Sequence, residues 1–309
     1  MRSLMLMILP AAILGFNPLA TTRAFRPALP RHSPPTILRP SVPLASMPPL
    51  PVLAAACTLP TCLGFWKTEY GVSYAYGAAT AICGGFALRA APNAVAVAHA
   101  AAVCFYGIRL NSFLLWRELS VPRFREFRDK IEQRSMESGG RLKRTPFVLS
   151  CSLLYYCMAA PLLVTSRLTA APSPLLLPAL ASLVALAWSG LLLAAWGDLT
   201  KSIVKSKLGP DTLVTQGPFR LFRHPNYTGE QILWTANLGC GIVGAAMLEG
   251  GLRSAAGTLA ASVVGWLGIF FVLAKATTAL EKKQAKRYEQ FVTWRQGSFG
   301  GWGLAGGKQ

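Results

Sequence analysis

The sequence is poor in charge and especially poor in acid. Only 14% of its 309 residues are charged, and Lys and Arg outnumber Asp and Glu by 31 to 12. An ordinary soluble domain is about one quarter charged, so the composition disfavours a water-soluble globule. It also disfavours a nucleic-acid-binding protein, whose cations would accompany a polar, solvated surface. What remains is a chain that is 52% hydrophobic, which predicts apolar spans joined by basic loops.

Residues that bind metals or nucleotides in familiar patterns are also scarce. There are three His, and none of the seven Cys stands in C-x-x-C spacing. The cysteines lie in apolar stretches and are interpreted as small core residues, so no metal site is predicted. The sequence has neither a P-loop nor a G-x-G-x-x-G turn. A nucleotide cofactor would therefore need a site of a membrane type.

Residues 1–51 are predicted to be a targeting leader. They contain five Arg, no acid and many Pro, Ser and Thr. Arg2 precedes an apolar run over residues 4–19, which has the charge and length of a signal-peptide core. The Ala24-Phe25 junction and the Pro-rich, Arg-containing stretch behind it resemble the signal-plus-transit presequence of algae with secondary red plastids. The resemblance implies a plastid membrane, with the endoplasmic reticulum as the alternative and a plain signal peptide with a linker as the simpler interpretation.

The remainder predicts an all-α, polytopic transmembrane bundle over residues 52–298. Uncharged stretches reach the length of about 20 residues that a membrane-spanning helix needs. Six spans are predicted, at residues 70–88, 90–108, 145–166, 168–197, 231–248 and 254–274. Residues 52–66 are apolar but contain Pro60, so a seventh span stays open. The Gly-rich tail, 299–309, is predicted to be disordered.

The distribution of cations supports this topology. Residues 117–145, 198–228 and 275–309 hold 9, 5 and 7 Lys or Arg, which is 21 of the 26 that follow the leader. Two spans separate each basic segment from the next, so all three are predicted on one face, as the positive-inside rule requires. Orientation and contact with lipid headgroups are sufficient reasons for most of these side chains.

The segment 217–230, GPFRLFRHPNYTGE, is the most informative part of the chain. Arg220, Arg223 and His224 gather positive charge immediately before a span. Pro225 suits the first turn of a helix, and such a helix start presents unpaired N–H groups and a positive dipole end to the same place. This combination predicts a phosphate-binding site.

A polar stripe follows along the predicted helix. Asn226, Glu230 and Asn237 stand at i, i+4 and i+11 and share one face of an otherwise apolar helix. An acid inside a membrane helix is functional by default, although Glu230 could instead pair with a loop Arg.

The segment 217–230 resembles the signature of the steroid 5-alpha-reductase C-terminal-like family, G-x-W/F-R-x-x-R-H-P-N-Y-x-G-E. Three shorter blocks resemble the family in the same order: Y-G-I-R-L and F-L-x-x-R at 106–117, G-D-x-x-K-x-x-x-K at 197–205, and EKKQAKRY at 281–288. The resemblance covers about residues 65–298. It implies an all-helical membrane reductase that binds NADPH near the basic face and reduces a C=C bond of a lipid-like acceptor.

The resemblance also implies site residues. The positions that match or join the cofactor site are Asp198, Lys201, Lys205, Arg220, Arg223, His224, Asn226, Glu230 and Tyr288. The bottom-up argument agrees on the phosphate side, and Asp198, Lys201 and Lys205 share one helical face. The catalytic candidates are Tyr227, Tyr106 and Arg109, with Glu69 as a further carboxyl group. Arg109 stands inside a predicted span, which is costly unless it is paired or reaches the interface.

Two other functions stay open. Membrane isoprenylcysteine and phospholipid methyltransferases share R-H-P-x-Y-x-G and bind S-adenosylmethionine, but they usually carry a Glu-Glu pair where this chain has Glu281 and Lys282. The second alternative is a non-catalytic lipid-binding membrane protein. The predicted partners are thus the bilayer and a hydrophobic small molecule, without nucleic acid or metal.

Overall fold

The computed structural model describes residues 46–137 and 139–300, and these contain helices and no β-strand. The predicted leader up to residue 45 and residues 301–309 of the tail lie outside this range. The helices are α1 Leu50–Thr61, α2 Leu63–Trp66, α3 Thr68–Val72, α4 Tyr74–Ala90, α5 Ala94–Ser120, α6 Pro122–Glu137, α7 Thr145–Thr165, α8 Leu177–Leu208, α9 Pro225–Ala246, α10 Gly251–Ser254, α11 Ala256–Arg287 and α12 Phe291–Gln296.

Four helical segments in the described residues are long and apolar enough to cross a bilayer. They are Ala94–Ser120, Leu142–Thr165, Leu177–Leu208 and Ala256–Arg287. They correspond to four of the six predicted spans and indicate an integral membrane protein. The predicted spans 70–88 and 231–248 fall largely on α4 and α9, which pack among these helices. Residues 52–66 form the shorter helices α1 and α2.

Helix α8 differs from its predicted span at both ends. The prediction of 168–197 included Pro172 and Pro174, and the helix begins only at Leu177, with Pro178 in its first turn. It continues past Asp198 to Leu208, because charge ends a hydropathy run but does not end a helix. Gly209 follows with a φ of 94°, a conformation that glycine adopts readily. The extension carries Lys201 and Lys205 away from the apolar part on the same helix.

Helices α8 and α9 pack closely because small residues face each other. A Cβ atom on Gly229 of α9 would collide with the carbonyl oxygen of Gly190 on α8, and a Cβ atom on Gly197 would lie 2.8 Å from the Asn226 nitrogen. Small residues permit this backbone approach in membrane bundles. The packing fixes the start of α9 against the part of α8 that carries Asp198.

The three basic segments meet, as the charge distribution predicts. Asp211, in the loop after α8, forms ion pairs with Arg123 of α6 and Arg287 of α11. Lys283 of α11 lies 5.9 Å from the ring centre of Phe127 in α6. These contacts bring the three segments together at one end of the bundle, and their position on one membrane face stays a prediction.

Helix α6 is anchored to this end by buried ionic contacts. Arg128 is buried, pairs with Glu118 and donates to the Ser73 hydroxyl over 3.1 Å. Glu132 accepts from Arg144 over 2.8 Å and from the Thr68 N–H over 3.0 Å. Burial raises the pKa of Glu132, but these hydrogen bonds outweigh burial and hold it below the usual range.

Candidate functional site

A cavity of about 130 Å³ lies beside the start of α9, where the basic segments meet. The chain reaches this point through a 3₁₀ turn, Gly217–Arg220, and α9 begins at Pro225 as predicted. Six of the nine predicted cofactor-binding residues line the cavity: Lys201, Lys205, Arg223, His224, Asn226 and Tyr288. Lys283 and Arg287 of α11 add two further cations to the lining. Such a lining favours an anion.

The other three predicted cofactor residues do not line this cavity. Arg220 is exposed at the end of the 3₁₀ turn. Asp198 lies about one turn before Lys201 on α8, and Glu230 lies about one turn after Asn226 on α9. Of the nine predicted cofactor residues, six therefore line the cavity, two are acids outside it, and Arg220 is exposed.

Glu281 of α11 is a buried carboxylate that contacts two residues of the cavity lining, and it was missing from the predicted site residues. It is buried, and its Oε1 lies 3.4 Å from Arg223 Nε and 3.2 Å from His224 Nε2. Its Oε2 lies 3.7 Å from Arg295 Nε. The sequence signal was its position as an acid among the cations of the C-terminal segment, but its partners lie far away in the chain.

His224 is held as a neutral donor in this arrangement. Burial lowers its pKa, and the hydrogen bond to Glu281 only partly opposes that effect. The lowered pKa favours the neutral ring, whose Nε2–H can donate to Glu281 Oε1. The fixed positive charge around the carboxylate comes from arginine rather than from the histidine.

Arg109 and Asp198 form an ion pair between α5 and α8. Their side chains are only 10% and 13% exposed, and Arg109 Nη2 also donates to the Ala194 carbonyl over 3.0 Å. This is the partner that an Arg inside a span requires. The Asp198 carboxylate, which was predicted to hold a cofactor, is thus engaged by Arg109 in this structure.

Glu230 lies among aromatic side chains from four helices. Tyr76 of α4 donates to Glu230 Oε2 over 3.3 Å, and the Trp234 indole donates to the Tyr76 hydroxyl over 2.6 Å. The Tyr76 ring lies 5.6 Å from that of Tyr106 and stacks at 5.5 Å on that of Tyr155. We refer to Glu230, Tyr76, Tyr106, Tyr155 and Trp234 as the aromatic cluster.

The Tyr106 hydroxyl is the least well satisfied polar atom of the aromatic cluster. It is completely buried and interacts with Glu230 and Tyr76, yet no neighbour in the described residues meets it with full hydrogen-bond geometry. Imperfect satisfaction of a buried hydroxyl is costly, so a ligand group with better geometry could replace these interactions. Tyr227 lies between the two centres, with its ring 6.0 Å from that of His224 and within electrostatic reach of Glu230 and Asp198. Glu69 of α3 also lies within electrostatic reach of Tyr227.

The three residues of the predicted polar stripe on α9 lie in three different environments. Asn226 lines the cavity, Glu230 belongs to the aromatic cluster, and Asn237 joins helices. The Asn237 oxygen accepts from His99 over 2.9 Å, and its nitrogen donates to the Met158 carbonyl over 2.9 Å. Asn237 and His99 are thus fully used in packing α5, α7 and α9 together.

Comparison with known proteins gives the family but no function. Residues 71–297 match the family described as "Protein of unknown function (DUF1295)", and the chain belongs to it. No curated protein and no solved structure gives a significant match. Among residues 46–137 and 139–300, no group of three or more His, Cys, Asp or Glu is arranged to hold a metal ion. The protein is therefore an integral membrane member of this family, and its chemistry has to be argued from the site.

Proposed function

We propose that this protein is a membrane oxidoreductase that uses NADPH to reduce a polarised C=C bond of a hydrophobic acceptor, such as a sterol, an isoprenoid or an enoyl lipid. One observation carries the proposal. Helix α9 contributes to both a cation-lined cavity and the buried aromatic cluster, with Asn226 in the first and Glu230, one turn later, in the second. The resemblance to the steroid 5-alpha-reductase C-terminal-like family is a part of this proposal and supports the choice of reaction.

The cavity fits the phosphate end of a dinucleotide. Lys201, Lys205, Arg223 and Arg287 are cationic, and the first N–H groups of α9 add a positive dipole end. Gln284 Oε1, a buried acceptor in the same lining, has no hydrogen-bond partner in the described structure and suits a ribose hydroxyl. A volume of about 130 Å³ takes only this part, so the nicotinamide end would extend past Tyr227.

The aromatic cluster supplies the groups for the acceptor. Bound NADPH would provide the hydride. The Tyr106 hydroxyl, which is buried and has no partner of full hydrogen-bond geometry in the described residues, would donate a hydrogen bond to the acceptor carbonyl and stabilise the charge that develops on its oxygen. Tyr227 is the second candidate donor, and Glu230 would orient the ring of the cofactor. Arg109 is engaged by Asp198, so its proposed role is to hold that carboxylate rather than to touch the acceptor.

The same proposal includes the topology and location. α4 and α9 would complete six spans, with α1 and α2 as a seventh, partial segment. The leader would direct the protein to a plastid membrane, with the endoplasmic reticulum as the alternative. A fusion of residues 1–60 to a fluorescent protein tests this, and a reticular signal without a plastid signal would contradict the plastid assignment.

The buried position of Glu281 favours a second candidate, an S-adenosylmethionine-dependent methyltransferase. A carboxylate beside a cofactor cavity can accept from the amino group of that cofactor. The described lining of the cavity contains several cations and no carboxylate, which is less favourable for a sulfonium cofactor than for phosphates, so the reductase ranks first.

Cofactor titration separates these functions. Purified protein in detergent is titrated with NADPH, NADH and S-adenosylmethionine by calorimetry, and we expect binding of NADPH. Lys205→Ala should weaken that binding about tenfold, since a hydrogen bond to a charged group contributes about 1.5–3 kcal/mol. Lys207→Ala is the matched control, because Lys207 is exposed two positions further along α8 and does not line the cavity.

Two further variants test the polar side chains of α9. Asn226→Ala and Glu230→Gln should each weaken NADPH binding while the protein remains inserted. Unchanged NADPH affinity in both variants would show that Asn226 and Glu230 do not belong to the cofactor site. Binding of S-adenosylmethionine alone would reverse the ranking, and binding without turnover of any unsaturated lipid would favour the non-catalytic alternative.

A further inference from the structure

The C-terminal segment closes onto the loop that carries Arg223. The backbone N–H of Phe299 donates to the Leu221 carbonyl over 2.7 Å, and the backbone N–H of Arg223 donates to the Phe299 carbonyl over 2.8 Å. Upstream, the Trp294 indole donates to the Phe219 carbonyl over 3.2 Å and lines the cation-lined cavity. Residues 291–300 are thus attached to the 219–223 loop at three points.

The Arg223 guanidinium is contacted by two residues of this part of the structure. Glu281 Oε1 lies 3.4 Å from its Nε. The Gly300 backbone also lies against it, and a Cβ atom at Gly300 would overlap the guanidinium. There is therefore no room for a side chain at position 300 while Arg223 keeps its present position.

We propose that Gly300 and Glu281 are positioning residues that together fix Arg223 as a ligand for a phosphate group. This inference rests on the proposed function and assigns to the C-terminal segment a part in anion recognition. A fixed guanidinium binds an anion better than a mobile one, since less conformational entropy is lost on binding. Any side chain at position 300 would displace Arg223, whose flexible stem yields more easily than the backbone.

The test compares two glycines of the same segment. Gly300→Ala should weaken binding of inorganic pyrophosphate, measured by calorimetry on the full-length protein, about tenfold, which corresponds to about 1.4 kcal/mol. Gly297→Ala should bind like the wild type, because a Cβ atom there meets nothing nearer than the Trp294 carbonyl oxygen at 4.0 Å. The thermal midpoints of both variants should stay close to that of the wild type.

A double-mutant cycle separates positioning from general damage. In an Arg223→Ala background, Gly300→Ala should have no further effect on pyrophosphate affinity, because its target is gone. An equal loss in both backgrounds, or wild-type affinity in Gly300→Ala, would overturn the inference. Pyrophosphate binding without NADPH binding would refute the proposed cofactor but leave the positioning role intact. A wild type that binds neither would overturn both.

Discussion

Removal of the Arg109 side chain should destabilise the protein strongly, and only as long as Asp198 is present. The two side chains form an ion pair that is 10% and 13% exposed, between two helices apolar enough to cross a bilayer. Arg109→Ala leaves the Asp198 carboxylate buried without its partner. Asp198→Ala leaves the guanidinium in the same position, with the Ala194 carbonyl as its remaining acceptor.

The expected magnitude follows from the burial of both charges. Breaking a buried pair by removing one partner costs about 3–5 kcal/mol, and a lone Arg or Asp at the centre of a membrane helix costs about 2.5–3.5 kcal/mol on insertion scales. We therefore expect each single variant to lose about 3 kcal/mol of unfolding free energy. The double variant removes both charges, so it should lose little more than either single variant, with a coupling of about 2–3 kcal/mol.

Equilibrium unfolding in mixed detergent, followed by tryptophan fluorescence, measures this coupling. The Arg123–Asp211 pair is the matched control, since its side chains are 56% and 64% exposed and exposed pairs contribute about 0.2–1 kcal/mol. Additive losses at Arg109 and Asp198 would refute the reasoning and leave Asp198 free for another ligand.

Three further predictions follow from the packing and the charges. Gly229→Ala should destabilise the protein by about 1–3 kcal/mol through overpacking, measured by thermal unfolding. Gly257→Ala is the control, because Gly257 has open space around it, and it should not destabilise the protein. Equal thermal midpoints of the two variants would contradict the close approach of α8 and α9. His99→Ala should leave the Asn237 oxygen unpaired and cost about 1–3 kcal/mol, while an unchanged midpoint would exclude the network. The folded pKa of Glu132 is lowered, so its contribution to the free energy of unfolding is complete above its unfolded pKa of about 4.3 and is lost as pH falls through the folded value. Glu132→Gln should therefore flatten the acid side of the profile of stability against pH. An unaltered profile would refute this.

The start of α9 could be predicted from the sequence because its signals are local. Pro225 follows a run of cations and precedes an apolar stretch, and each of these acts within one helical turn. The same local reasoning places Lys201 and Lys205 on one face of α8, and the structure adds that α8 continues far enough to bring them to the cavity.

The contacts that complete the site could not be predicted, because they join distant parts of the chain. Glu281 reaches His224 across 57 positions, and Tyr76 reaches Glu230 across 154. No periodicity within one helix reports such a contact. Asn237 shows the converse: its position on the stripe with Glu230 was visible, but its use in helix packing depends on His99 and Met158 from other helices.

Cryo-electron microscopy of the protein with NADPH in a lipid nanodisc would locate the bound cofactor. We expect phosphate density in the cation-lined cavity between Lys205 and Arg223, and nicotinamide density beside Tyr227 and Glu230. Density for bound NADPH elsewhere, with the cavity and the aromatic cluster unchanged, would contradict this expectation.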